Sequence, residues 1–150
     1  MKKFLLFSIL LLLTNCFGYQ PIFLSSDIDY NIRNIKKLSQ NKINNDIERR
    51  LKSYKYDDSK QDISIEISST NEERVLSRDN KGDPIIFEMN IIVNVKILFD
   101  DQTEKEFKLK ENFSYNNRSN KFDLKLYRDN VQKNITEKIV RNMITKIRSM

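Results

Sequence analysis

Apolar residues recur along this chain at two periods, and the places where one gives way to the other predict its elements. Ile28, Tyr30 and Ile32 occupy alternate positions, the spacing of a short first strand. From about Gln40 the interval becomes four. Ile43, Ile47 and Leu51 then share one side of a helix that keeps Arg49, Arg50 and Lys52 elsewhere, with Asn41 as N-cap and an end expected near Tyr54. After a polar stretch at residues 57–61, alternation returns: Ile63, Ile65 and Ile67 are separated by Ser64, Glu66 and Ser68, as in a half-buried strand. This strand is expected to continue through Val75 to a tip at residues 79–83, where Asn80 and Gly82 tolerate the positive φ of a hairpin turn. Pro84 has no N–H to give a ladder, so it belongs at the start of the following strand.

The strongest strand pattern covers residues 85–99, with Phe87, Met89, Ile91, Val93, Val95, Ile97 and Phe99 on one face. Asp100, Asp101 and Gln102 turn the chain, and Phe107, Leu109, Phe113 and Tyr115 continue the alternation in a return strand. The opposite face carries Glu88, Asn90, Asn94 and Lys96 beside Lys108, Lys110 and Asn112, with Ile86, Ile92 and Leu98 as exceptions. One sheet face is therefore left to water, or to something other than the domain's own helices. A polar link leads to a long helix that Asn120 caps, with Asp123 at its third position. Leu124, Tyr127, Val131, Ile135, Ile139, Met143 and Ile147 draw one apolar stripe along it, and Lys133, Lys138, Arg141, Lys146 and Arg148 lie mostly outside the stripe. The order β-α-β-β-β-α predicts an α+β domain, a four-stranded mainly antiparallel sheet with two helices packed on one face.

Composition narrows the function. The chain has no histidine, one cysteine and two glycines among 150 residues, so the usual zinc sites, a Ser-His-Asp triad and phosphate-binding glycine loops are all short of parts. No catalytic residue, metal or cofactor is expected. Its start has three parts: basic Lys2 and Lys3, an apolar run at residues 4–13 broken only by Ser8, and Leu13-Thr14-Asn15-Cys16. At about 1.5 Å per residue the run covers roughly half the hydrocarbon thickness, which suits a secretory leader better than a membrane span. The last four residues resemble a lipobox, the site at which lipid is attached to cysteine before the leader is removed, with Asn15 departing from the usual Gly, Ala or Ser. A plain signal peptide beside an incidental thiol is the other reading. The expected division is a leader at 1–15, a lipidated tether at 16–26 carrying Gly18 and Pro21, and one domain at 27–150. Without Lys2 and Lys3, 25 basic residues face 21 acidic ones, a surplus of +4. That surplus is mild and not concentrated on one element, and an exported, tethered domain meets no nucleic acid.

Several short motifs, in this order, resemble those of the LPS-assembly lipoprotein family LptE. Cys16-Phe17-Gly18-Tyr19-Gln20-Pro21 is similar to that family's opening, with Phe17 as an extra residue, and Ser114-Tyr115-Asn116 is similar to the end of its last strand. Phe122 and a long C-terminal amphipathic helix complete a likeness that spans nearly the whole mature chain. The resemblance implies a lipoprotein on the periplasmic face of the cell outer membrane, held there by lipid on Cys16. It implies an LptD-type outer-membrane β-barrel as partner, inside which the protein acts as plug, assembly aid and lipopolysaccharide-binding element. It also associates Arg78, near the tip of the hairpin, and Arg128, near the last helix, with lipopolysaccharide. Arg128 falls within the helical pattern, so that helix would have to start later or break there.

Chemistry favours guanidinium forks for a lipid that carries several phosphates, because they bind phosphate through two parallel hydrogen bonds. Arg74, Arg78 and Lys81 supply such a cluster, yet Glu72, Glu73, Asp79 and Asp83 stand beside them, and a charge-balanced, solvated hairpin fits equally well. Arg118, Lys121, Lys125 and Arg128 form a second basic run with the same two readings. Phe107, Phe113, Tyr115 and Phe122 are expected in the core rather than against acyl chains. A free-standing periplasmic lipoprotein, binding lipid or serving as a structural adaptor without a barrel, is the alternative function.

Overall fold

The computed structural model describes residues 30–53, 60–100 and 102–150. Cys16, the tether, Ile28, Tyr54 and Asp101 lie outside that set. In chain order the elements are β1 (Tyr30–Lys37), α1 (Lys42–Leu51), β2 (Gln61–Arg78), β3 (Pro84–Phe99), β4 (Glu104–Asn116) and α2 (Lys121–Arg148). The strands form one sheet in the order β1-β2-β3-β4. β2, β3 and β4 meander antiparallel, while β1 lies parallel to β2. The mixed sheet follows from the connection: a helix between β1 and β2 carries the chain back to its starting end, as a crossover must.

Both helices cover the inner face. Ile63, Ile65 and Ile67 of β2 and Met89, Ile91, Val93, Val95 and Ile97 of β3 meet Ile43, Ile47 and Leu51 of α1 and the stripe from Val131 to Ile147 of α2, all buried. Val140, Ile144 and Thr136 join that stripe, because α2 also packs against α1 and so buries a broader arc than the sheet alone requires. Arg33 is an extra residue in β1, since Ile32 pairs with Ile63 and Asn34 with Ser64. This bulge returns Ile35 to the core side, which strict alternation from Tyr30 would have denied it. Asn41 caps α1 and does more: its side-chain oxygen accepts from Asn44 N–H (2.8 Å) and the Ser69 hydroxyl (3.1 Å), and its amide donates to Ser69 O (3.0 Å). α1 is thereby fastened to β2.

Two expectations need correction. Phe113 is 46% exposed and Phe122 73% exposed, so neither is core. Phe113 sits on the last strand of the sheet, and Phe122 lies two residues before Leu124, about 200° around the helix from the stripe. α2 also neither starts late nor breaks. It runs unbroken from Lys121 through Arg128, with Asn120 accepting from Phe122 N–H (2.9 Å) and Asp123 N–H (3.4 Å).

The outer face is polar and ordered by charge. Lys36, Glu66, Lys96 and Glu106 are register partners across all four strands. Lys36 Nζ lies 2.7 Å from Glu66 Oε1, and Lys96 Nζ lies 2.6 Å from Glu104 Oε2 and 3.9 Å from Glu106 Oε1. The hydrogen bond from Lys36 holds the Glu66 carboxyl below its ordinary range, and the bond to Glu104 raises the Lys96 ammonium. A groove of about 420 Å³ opens here, lined by Glu66, Ser68, Asn94, Lys96, Glu106 and Lys108 among others.

Candidate functional site

The β2–β3 hairpin and the start of α2 meet at one pole of the sheet. β4 ends beside the start of β3, with Ile86 opposite Asn116, and Asn117 closes the gap by donating from its N–H to Ile85 O (2.7 Å) and from its side chain to Pro84 O (2.7 Å). The tip itself is built by Asp79, whose carboxylate accepts from the N–H groups of Lys81 (2.9 Å) and Asp83 (2.8 Å). Gly82 completes the turn at φ +89°, a conformation costly for any residue with a Cβ.

Of the four basic residues read from the sequence, the structure commits two and leaves two. Arg74 is paired across the strands, its Nε 2.8 Å from Glu88 Oε1 on the outer face. Arg128 reaches the inner face, where it grips Glu73 with Nε (2.8 Å) and Nη2 (2.9 Å). Adjacent residues of a strand point to opposite faces, so Glu73 and Arg74 turn away from each other and take Arg128 and Arg74 apart. Among the described residues Arg78, by contrast, donates only to a backbone oxygen, Gly82 O at 2.8 Å, and Lys81 has no ion pair. Arg118 lies with its guanidinium carbon 4.5 Å from the Tyr127 ring centre, and among the described residues it, Lys121 and Lys125 have no carboxylate partner. The pole thus concentrates Arg78, Lys81, Arg118, Lys121 and Lys125.

Apolar surface accompanies this charge. Four of the six large apolar side chains exposed among the described residues belong to this end: Leu76, Ile85, Phe122 and Leu126. Register shifts at Val75/Ser77 and Ser77/Arg78 take Leu76 and Ile85 out of the regular pairing. Phe122 and Leu126 are one turn apart on the side of α2 away from the sheet, a spacing visible in the sequence but masked there by the stronger core stripe. Cations with no carboxylate partner among the described residues, beside exposed apolar groups, suit an amphiphile with anionic head groups and acyl chains.

Beneath the pole lies a supporting network. Tyr115 is 3% exposed, stacked on Phe87 (5.7 Å between ring centres) and edge-on to Tyr127 (5.8 Å). Its hydroxyl donates to the Glu73 carboxylate that Arg128 holds. Burial, and then the bond to Glu73, push the Tyr115 phenol well above its ordinary value, so it stays protonated and acts as a donor. Among the described residues no three His, Cys, Asp or Glu side chains gather as a metal site would require, and no helix is long and apolar enough to cross a membrane.

With this arrangement in view, the chain can be compared with known proteins. Its fold is one found in bacterial lipoproteins. Rare lipoprotein B from Shewanella oneidensis superimposes with a TM-score of 0.52 at 12% identity, over 75% of this chain and 95% of that one. A minor lipoprotein from Acinetobacter baumannii gives 0.59 at 8% identity, over 82% and 92%. A lipoprotein from Caulobacter crescentus CB15 gives 0.57 at 12%, over 77% and 88%. At such identities the likeness speaks for the fold. No protein family matches the sequence, and no curated protein sequence does.

Proposed function

We propose that this protein is a non-enzymatic lipoprotein subunit of the outer-membrane lipopolysaccharide translocon. In this reading, lipid on Cys16 anchors it to the periplasmic face of the outer membrane. The domain plugs an LptD-type β-barrel, and the hairpin pole meets lipopolysaccharide. The observation that carries the proposal is the pole itself, where, among the described residues, Arg78, Lys81, Arg118, Lys121 and Lys125 stand without carboxylate partners beside Leu76, Ile85, Phe122 and Leu126. Support also comes from the order of motifs that resembles the LPS-assembly lipoprotein family, and from a fold shared with lipoproteins. The pole lies far from the point where the chain enters the domain. Tyr30 pairs with Gln61 at one end of β2 and the tip follows Arg78 at the other, 18 residues or about 60 Å away. An anchor at the first end leaves the second free to project into a lumen.

Binding of purified lipopolysaccharide tests the site. Arg78→Glu combined with Lys81→Glu is expected to weaken it about tenfold, the equivalent of about 1.4 kcal/mol. Arg128→Ala, whose guanidinium already serves Glu73, is expected to change it by less than about threefold, about 0.7 kcal/mol. Unchanged binding by the double variant removes the pole from the site. Failure of the C-terminally tagged protein to bring down its large β-barrel partner from mild-detergent extracts removes the translocon from the reading.

A further inference from the structure

Between the last third of β4 and α2 the inner face opens into a groove. It is lined by Phe113, Val131 and Ile135, with Asn134, Lys138 and Arg141 of α2 contributing the polar part. Phe113 is the exposed member of the apolar set, while Val131 and Ile135 are buried. The volume is about 200 Å³, short of the roughly 300 Å³ or more of a small-molecule pocket, and suits a single large side chain. Two cations outnumber one carboxylate here. Glu111 is held by Lys138 (2.7 Å) and by the Asn142 amide (2.9 Å), whereas Arg141 reaches only Glu137, at 3.9 Å, whose Oε1 lies nearer to Arg50 at 3.4 Å. The groove therefore offers positive charge beside an apolar wall.

The backbone next to it is equally available. Six of the eight residues from Glu104 to Glu111 are charged, and Lys105 and Glu111 stand on the inner face, so that part of the edge is guarded against a further strand. The guard stops at Glu111. Residues 112–116 read Asn-Phe-Ser-Tyr-Asn, without charge, proline or register shift. Asn117 N–H donates to Ile85 O (2.7 Å), so odd positions of β4 bond to β3, and the exposed Asn112 and Ser114 aim their N–H and C=O groups away from the sheet.

We propose that residues 112–116 and this groove receive an extended segment of a partner protein, which adds to β4 as a fifth strand, sets a large apolar side chain opposite Phe113 and brings a carboxylate to Lys138 and Arg141. Strand addition takes affinity from main-chain bonds and specificity from pockets for alternate side chains. Directly opposed residues of neighbouring strands share a face, so the side chain opposite Phe113 enters the groove. A second copy of this chain does not fit. Its residues 112–116 hold no carboxylate, and pairing them antiparallel about Ser114 sets Lys110 against Arg118. None of the five cations of the pole takes part, and the inference stands independently of the function proposed above.

The experiment uses the full chain in mild detergent and a blocked, fluorescent peptide, Thr-Asp-Thr-Phe-Thr-Asp-Thr, whose symmetry serves either strand direction. Fluorescence anisotropy is expected to give a dissociation constant below about 1 mM. Bound peptide is expected to slow hydrogen exchange of the Asn112 and Ser114 amides and to leave those of Glu106 and Lys108 unchanged. Phe113→Glu, which extends the guard into the groove, is expected to abolish binding, and Arg141→Glu to weaken it about tenfold. Serine in place of the peptide's phenylalanine, a change that leaves the protein untouched, is expected to weaken binding at least about tenfold. Wild type that binds no peptide at about 1 mM overturns the proposal, as does binding that leaves Asn112 and Ser114 unprotected or survives Phe113→Glu. Binding lost in Arg78→Glu with Lys81→Glu overturns it too, because the peptide then sits at the pole.

Discussion

Replacing Glu73 by alanine probes how the site's support is built, because one carboxylate serves a buried phenol and a half-exposed guanidinium at once. Losing it strands the Tyr115 hydroxyl in a place 3% exposed. An unsatisfied buried group costs about 1–3 kcal/mol. The Arg128 pair adds at most about 1 kcal/mol, because that side chain is 45% exposed and its charge is screened by water. Glu73→Ala should therefore cost about 2–3 kcal/mol, or about 10 °C in melting temperature for a domain of this size. Tyr115→Phe removes the hydroxyl and leaves nothing to strand, so it should cost about 1–2 kcal/mol. Combined, the two changes should cost only about 2 kcal/mol, a coupling of about 1–3 kcal/mol between them. Urea unfolding of the two single variants and the double variant measures this cycle. Additivity within about 0.5 kcal/mol would refute a shared carboxylate as the support of this end of the domain.

The remaining predictions concern the cap, the turn and acid stability. Asn41→Ala should cost about 1–2 kcal/mol in thermal unfolding, since it removes an N-cap and the tie to Ser69 together. Gly82→Ala should cost about 1 kcal/mol from backbone strain alone, because a Cβ there meets no atom within 4 Å. The same substitution should leave the spectrum of the folded protein unchanged. Hydrogen bonds from Lys37 and then Lys52 hold the Glu48 carboxyl at about 2, against an ordinary 4.5. A carboxylate depressed on folding stabilises fully above the higher value and loses that contribution as pH falls through the lower one. The melting-temperature difference between wild type and Glu48→Gln should be constant above about pH 5 and vanish near pH 2.

The elements were legible because each buries one face, and burial of one face writes a period into the sequence. Asn41, Asn120, Pro84 and the tip at Gly82 all stand where local chemistry placed them. Strict alternation from Tyr30, however, hid the bulge at Arg33 and with it Ile35's place on the core side. The site was less legible, since a basic residue is easy to see and its partner is not. Glu88 meets Arg74 because of strand register, and Glu73 meets Arg128 across 55 positions of chain. No spacing rule reaches that far. Phe122 illustrates the other limit: its apolar character reads as core, and only the phase of α2 relative to Leu124 turns it outward.

The far half of the hairpin explains why charge ends up divided as it does. Inner positions of β2 change from Ile63, Ile65 and Ile67 to Asn71 and Glu73 as the strand passes the reach of α1. Polar ties then take over from apolar packing there: Asn71 to Gln132, Glu73 to Arg128 and Tyr115, and Arg74 to Glu88. A cation that holds the hairpin in this way has its donors occupied and its charge balanced, so binding a phosphate would mean giving up a structural bond. Arg74 and Arg128 are in that position. Arg78 and Lys81 lie past the last such tie, where the turn is held by Asp79 and Gly82, and among the described residues neither is paired with a carboxylate, Arg78 making one bond to the neutral Gly82 O. The division between cations that hold the hairpin and cations left without a carboxylate among the described residues thus follows from where the core runs out along a strand longer than the helices that cover it.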